Sequence, residues 1–433
     1  MNKSFKHIPR DERKKIVLIC DDIRVHSGVA TVAKEIVLGT SHHFNWVNIA
    51  GAVNHPDKGK VLDMDKSVQE QTGVEDASCK LYCVENYGTE EQILGILEQE
   101  KPDALMLFTD PRYFTHVFNA EDDIRKKCPI FYLNIWDDYP APRYNQPYYE
   151  ACDLLMGISK QTVNINKLVL ADCDNSKNIR RKQIPDAMLA FRAFLDTLPK
   201  EKAAKCRFLL HTELTTNAGT DLIKVKEYLF DEHYKDNVLF STNKLDRKFL
   251  NFYYNIADAQ ILLTSNEGWG LTITEAMLAG TPLIANVTGG MQDQMRFVDD
   301  KGKWFTPSPE IPSNHRGTFK EHGDWVFPVF PTSRSIQGSP PTPYIFDDRC
   351  RWEDAMERIQ EVYALSREDR KKLGLKGREW AISDEAGFTA EKQAERFIEA
   401  AHACWDVWEP REQFEIVNAT AYKGKILNHK ILY

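Results

Sequence analysis

Short apolar runs that end in acids or glycines alternate along the chain with stretches of helical spacing. "KKIVLICDDI" (Lys14–Ile23) is rich in β-branched residues and closes on two acids, which predicts a buried parallel strand. "HSGVATVAKEIVLG" follows, with Gly28 at its opening and Val29, Val32, Ala33 and Ile36 on one helical face. Strand, glycine loop and helix make one α/β unit. "PDALMLFTD" (Pro102–Asp110), "PIFYLNIWDD" (Pro129–Asp138) and "CDLLMGIS" (Cys152–Ser159) predict further strands, the first preceded by the helical "EEQILGILEQEK". A second series starts near residue 166, with strands predicted at "CRFLLHTE", "NVLFST", "AQILLTS" and "TPLIANV". Between them lie helical patterns such as "KQIPDAMLAFRAFLDTL" and "DRKFLNFYYNIA". Alternation of this kind predicts an α/β fold of two doubly wound halves, and ligands of such sheets sit at the carboxyl ends of the strands.

Residues 301–349 break the alternation with proline, glycine, serine and aromatics, and read as an irregular, ordered insertion at the active site or an interface. Helical spacing returns at "EDAMERIQEVYALS" and "AEKQAERFIEAAHACWDVW". The domains are therefore expected at 1–165 and 166–385, with a crossover helix and tail over 386–433.

Composition narrows the class only a little. With 433 residues, 42% hydrophobic and 28% charged, the chain suits two globular domains. A net charge of −8 gives no general support for a nucleic-acid or anionic-membrane surface. Nine cysteines stand singly and no apolar run has the length of a membrane span, so a reduced, cytoplasmic setting is expected.

The stretch "TSNEGWGLTITEAMLAGTPLIANVTGG" (Thr264–Gly290) carries the densest chemistry. Its pattern is strand, glycine turn, short helix ending at Gly280, strand and second glycine turn. The glycines let backbone approach a ligand, and the helix start near Thr272 offers free N–H groups to a phosphate. Glu267 falls in the turn and Glu275 in the first helical turn, at the same end of the unit. A carboxylate suits vicinal sugar hydroxyls, although a helix end or a solvated turn also carries a lone glutamate.

This stretch closely resembles the signature of GT-B retaining glycosyltransferases of the family 4 type. The resemblance implies two Rossmann-like domains facing a cleft, the N-terminal one holding the acceptor and the C-terminal one a nucleotide-sugar. It implies that Glu267 lies by the donor sugar and Glu275 binds the ribose. Gly268, Gly270, Leu271, Thr272, Gly289 and Gly290 would line the donor pocket.

A second element is "NIRRKQIPDAMLAFRAF" (Asn178–Phe194), where basic residues open an amphipathic helix. Positive charge at a helix start needs an anionic partner, and a diphosphate would serve. The family has an Arg/Lys pair here, which assigns Arg181 and Lys182 to the leaving diphosphate. The connection between "GISKQT" and "NIRRK" is shorter than the family's. Gly28, in "DDIRVHSGVAT", is the counterpart of the family's N-terminal loop at the donor phosphate. After the strand ending "NIWDD" the family often has His-Asp, whereas this chain has Trp136-Asp137-Asp138. Asp137 and Asp138, with Asp110, are the candidates for contacting the acceptor or donor sugar.

D-x-D tripeptides at Asp63–Asp65 and Asp172–Asp174 follow no convincing strand pattern, and the histidines form no zinc motif, so neither metal nor cofactor is expected. The expected activity is metal-independent, retaining transfer of a hexosyl or pentosyl group, from a UDP-sugar in preference to a GDP-sugar, to a small-molecule, glycan or DNA hydroxyl. Three alternatives stay open: a glycoside phosphorylase or synthase on this fold, a transferase acting on a hydroxymethylated DNA base, and a non-catalytic nucleotide-sugar-binding protein.

Overall fold

The computed structural model describes residues 7–52, 57–137, 139–170, 182–215, 219–243, 245, 247–339 and 342–411. The N-terminal domain is built on β1 (Lys14–Asp21), β2 (Phe44–Gly51), β3 (Val61–Asp63), β4 (Cys79–Cys83), β5 (Ala104–Phe108), β6 (Ile130–Asn134) and β7 (Leu154–Gly157). They form one sheet in the order β3-β4-β2-β1-β5-β6-β7, parallel except for β3 against β4. Both faces of β1 are buried: Ile16, Leu18 and Cys20 join one core and Val17 and Ile19 the other. Two-sided burial is why this strand reads as a continuous apolar run. Strand order reverses beside β1, which places the sheet's ligand crevice at its carboxyl end.

β2 and β4 lacked a clear signal in the pattern. In "FNWVNIAG", Asn48 interrupts the apolar run, yet it is fully buried in β2 and its amide donates to the Leu18 carbonyl at 3.2 Å.

The helices that frame the site are α1 (Gly28–Thr40), α2 (Lys160–Leu170), α3 (Ile184–Asp196), α4 (Arg247–Ile256), α5 (Leu271–Ala279), α6 (Met291–Met295), α7 (Arg367–Ile382) and α8 (Ala390–Trp405). In the C-terminal domain β8 (Phe208–His211) pairs in parallel with β9 (Val238–Ser241). β10 (Gln260–Leu262), β11 (Leu283–Asn286) and β12 (Val326–Val329) form a parallel three-stranded sheet with β11 in the centre. The insertion is more regular than its composition implies. It supplies β12 and then an antiparallel hairpin, β13 (Ser333–Ser339) with β14 (Thr342–Arg349). Pro328 masks β12 in the sequence, and an edge strand tolerates a proline that a central one does not.

α8 returns to the N-terminal domain. Phe397 packs edge-on against Phe44, Trp405 meets Phe44 and Phe131, and the Trp405 indole N–H donates to the Asp103 carbonyl at 2.8 Å.

Candidate functional site

Gly289 and Gly290 follow β11 and press against the turn that follows β10. The Gly290 N–H donates to the Glu267 carbonyl at 2.9 Å. A Cβ on Gly289 would stand 2.2 Å from the Glu267 carbonyl oxygen, and one on Gly290 1.9 Å from that of Gly268. Only glycine fits at either position. Gly289 has φ 55° and Gly270, which precedes α5, has φ 85°, a conformation that costs other residues about 1–2 kcal/mol. No side chain caps α5, so the amides of Leu271 and Thr272 stand at an uncapped helix start. Because α5 begins at Leu271, Glu275 is its fifth residue and lies in the second turn rather than the first.

The two glutamates are held differently. Glu267 receives an ion pair from Lys182, whose residue immediately precedes the turn into α3. Glu267 is largely buried in this pair and Lys182 is half exposed. Glu275 accepts a hydrogen bond from the Tyr254 hydroxyl on α4 at 2.7 Å. Burial, reinforced by the Glu275 charge, pushes the Tyr254 phenol far above its ordinary range, so it stays a donor. Arg181, Asp138 and the Asp172–Asp174 tripeptide lie outside the described residues.

The N-terminal domain supplies the facing wall. A Cβ on Gly28 would stand 3.8 Å from Leu271 Cδ1, which brings the first glycine loop to the start of α5. Ser27 caps α1 through the Ala30 N–H at 2.9 Å, and its own hydroxyl donates to Asp21 at 2.6 Å. A Cβ on Gly268 would lie 2.9 Å from the Ile135 carbonyl oxygen and 3.6 Å from Asp137 Cβ. Asp137 therefore stands directly opposite the glutamate turn. Asp110 is set apart: it caps the turn after β5 and takes Arg112 in a two-pronged ion pair at 2.9 and 2.6 Å. Asp65 of the first D-x-D tripeptide pairs with Arg10 at 2.7 Å and accepts the Cys79 N–H at 2.8 Å. Among the described residues no cluster of His, Cys, Asp and Glu is arranged to hold a metal.

Several residues that join the walls carry no sequence signal. Asp293 on α6 is buried and accepts the Lys160 N–H at the start of α2 at 2.9 Å. Burial holds its carboxyl up at about 6 against that hydrogen bond and the Lys160 charge. The Lys160 ammonium lies 3.2 Å above the Trp304 ring, and burial lowers its pKa. On the hairpin, Arg334 binds the buried Asp348 through two hydrogen bonds at 2.6 and 2.9 Å. Thr288 donates to Asp348 at 2.9 Å, Ser265 to Asp347 at 2.6 Å, and the Phe346 N–H to the Tyr139 carbonyl at 3.2 Å. The hairpin is thereby fixed across the carboxyl ends of β10 and β11. A lone glutamine, tyrosine or aspartate has no period or spacing to mark it, so only the packing identifies these residues.

Two glycine-contoured walls, an uncapped helix start and a cation beside a carboxylate thus come together where the two Rossmann-like domains face each other. Residues 218–310 match the family model described as Glycosyl transferases group 1. No curated protein matches the chain. Among solved structures, sucrose-phosphate synthase from Thermosynechococcus elongatus is similar with TM-score 0.59 and 14% identity, over 90% of this chain and 100% of the other. Anabaena HepE in complex with UDP and glucose has TM-score 0.55 and 12% identity, over 90% and 100%. An alpha,alpha-trehalose-phosphate synthase (UDP-forming) from Burkholderia xenovorans, in complex with glucose-6-phosphate, has TM-score 0.57 and 9% identity, over 90% and 100%. At these identities the likeness is one of fold. The chain has the GT-B fold. No helix among the described residues is long and apolar enough to cross a membrane.

Proposed function

We propose that the protein transfers a sugar from a nucleotide-sugar to a hydroxyl acceptor, with retention at the anomeric carbon and without a metal ion. The observation that carries this reading is the Lys182–Glu267 pair, set between the uncapped start of α5 and the Gly289–Gly290 turn. A UDP-sugar is favoured over a GDP-sugar because similar structures hold UDP or are named as UDP-forming.

In this reading the diphosphate lies against the amides of Leu271 and Thr272 and beside Gly28. Lys182 leaves Glu267 for the phosphate oxygens, and Arg181 joins it. Negative charge grows on the departing diphosphate as the sugar acquires oxocarbenium character, so these cations act most strongly in the transition state. Glu267, released from Lys182, accepts hydrogen bonds from the sugar hydroxyls. Glu275, oriented by Tyr254, grips the ribose. Gly268, Gly270, Gly289 and Gly290 let the surrounding turns pack closely enough to shape the donor pocket. The acceptor hydroxyl enters from the side of Asp137 and passes its proton to the leaving phosphate oxygen. The fixed cations take the place of a divalent ion, and closure of the two walls excludes water.

The test is a donor panel read by nucleotide release with and without acceptor, run beside Glu267→Ala and Lys182→Ala. Acceptor-dependent UDP release that falls about 10²- to 10³-fold in either variant is expected. Full turnover in both variants would discard the site assignment. Tight UDP binding without any turnover would make the protein a binding module instead.

A further inference from the structure

A cavity of about 520 Å³ opens on the N-terminal domain, lined by Ala52, Asn86, Tyr87, Gly88, Tyr113 and His116. Its walls are the loops that leave the carboxyl ends of β2, β4 and β5, on both sides of β1. This is the crevice where the strand order reverses. None of its lining residues carries a role in the donor reading.

The cavity is built at a conformational cost. Ala52, Asn86 and Gly88 have φ of 62°, 53° and 80°. Two of these are not glycine, and backbone held this way is strained, a feature that clusters at ligand sites. The Ala52 N–H donates to the Asn86 carbonyl at 2.7 Å and fixes one loop on the other. Gly51 makes this approach feasible, since a Cβ there would stand 2.4 Å from both the Asn86 carbonyl oxygen and Tyr87 Cδ1.

The described cavity wall is aromatic and polar. Tyr113 is 58% exposed and leans on Tyr87 with ring centroids 5.2 Å apart and planes 31° apart. Asn86 adds an exposed amide. Among the described lining residues there is no lysine or arginine. Among the described lining residues His116 alone can become a cation, and burial lowers its pKa. The Tyr87 hydroxyl donates to Asp21 at 2.9 Å, and the other oxygen of that carboxylate receives the Ser27 hydroxyl at 2.6 Å. One buried carboxylate thus ties the cavity to the cap of α1, whose Gly28 faces the donor wall.

We propose that this cavity is the acceptor subsite and that it receives an uncharged sugar ring, free or as the end of a glycan, stacked on Tyr113, in preference to a sugar phosphate. An open aromatic face with a few polar groups suits a ring that is apolar on its C–H face and polar at its edge. A phosphate brought into this cavity would lose water without gaining a fixed cation from the described lining residues. The inference rests on the transferase reading above, and the two are tested separately.

Saturation-transfer NMR on the full chain tests it, with glucose, maltose and cellobiose set against glucose-6-phosphate. At least one neutral sugar should bind the wild-type protein more tightly than glucose-6-phosphate does. Tyr113→Ala should weaken that binding about tenfold, while Tyr113→Phe keeps it, since the exposed ring and not its hydroxyl provides the stacking face. UDP titrated into the same proteins should bind all three alike. The proposal is overturned if no neutral sugar binds, if glucose-6-phosphate binds more tightly, or if Tyr113→Ala leaves the affinity unchanged. Failure of UDP to bind wild-type protein, with sugar binding retained, counts against the donor reading alone.

Discussion

Tyr254 has no apparent role when read along the chain, yet its hydroxyl fixes the carboxylate proposed to hold the ribose. Tyr254→Phe removes one hydrogen bond to a charged acceptor without changing the packing. Nucleotide affinity is expected to fall by about 1.5 kcal/mol, roughly tenfold, in a UDP titration, with thermal stability nearly unchanged. An unaltered Kd would mean that Glu275 does not bind the ligand. Asp293 makes a different prediction. An ordinary aspartate releases its proton near 3.8, and burial holds Asp293 at about 6. Between these values the folded protein keeps a proton that the unfolded chain has released. Stability from this group is therefore fully present below about pH 4 and is lost as pH rises through about 6, by about 3 kcal/mol at neutral pH. Asp293→Asn keeps an acceptor for the Lys160 N–H and removes the buried charge. It should raise stability in urea at pH 7 and leave it unchanged at pH 4; equal effects at both would discard the assignment.

At the scale of elements, the site depends on two turns that press backbone against backbone. Gly290 sits 1.9 Å, by its hypothetical Cβ, from the Gly268 carbonyl oxygen, and Gly268 in turn abuts Ile135 on the other domain. Gly290→Ala must therefore displace the glutamate turn. A loss of about 1–3 kcal/mol in stability is expected, together with a fall in kcat that exceeds any rise in the donor KM. Denaturant melts and steady-state kinetics check both; a variant with unaltered stability would show that the turn yields freely. The hairpin is a second element whose position matters. Its Arg334 pairs with the buried Asp348, which also accepts the Thr288 hydroxyl, and this tie fixes the hairpin against the turn after β11.

For the whole molecule, α8 is the strap that holds one domain to the other. Phe397 is buried against Phe44 and Trp46. Phe397→Ala should cost about 3–5 kcal/mol. Calorimetry is expected to show a single unfolding transition in the wild type and two in this variant, because the domains lose their shared core; one undivided transition in the variant would argue that the cleft contacts alone couple them.

Much of the architecture was legible in the sequence because buried parallel strands are written as unbroken apolar runs. β1, β5, β6 and β11 are of this kind. β2 was not, because its Asn48 is satisfied by a neighbouring strand that the local pattern cannot show. β12 was hidden by Pro328, which its edge position makes harmless. The glutamate stretch announced itself because glycines at fixed spacing are needed wherever backbone meets backbone or ligand, and that need is local. By itself, then, the chain determined the α/β alternation, the two halves and the glycine-lined turn with Glu267 and Glu275. The tertiary structure alone decided that Lys182 lies on Glu267, that Tyr254 orients Glu275, and that Tyr113 opens onto a cavity with no lysine or arginine among its described lining residues. Each of these is a meeting of residues far apart in the chain or on separate loops, and neither periodicity nor spacing records which distant side chain will arrive.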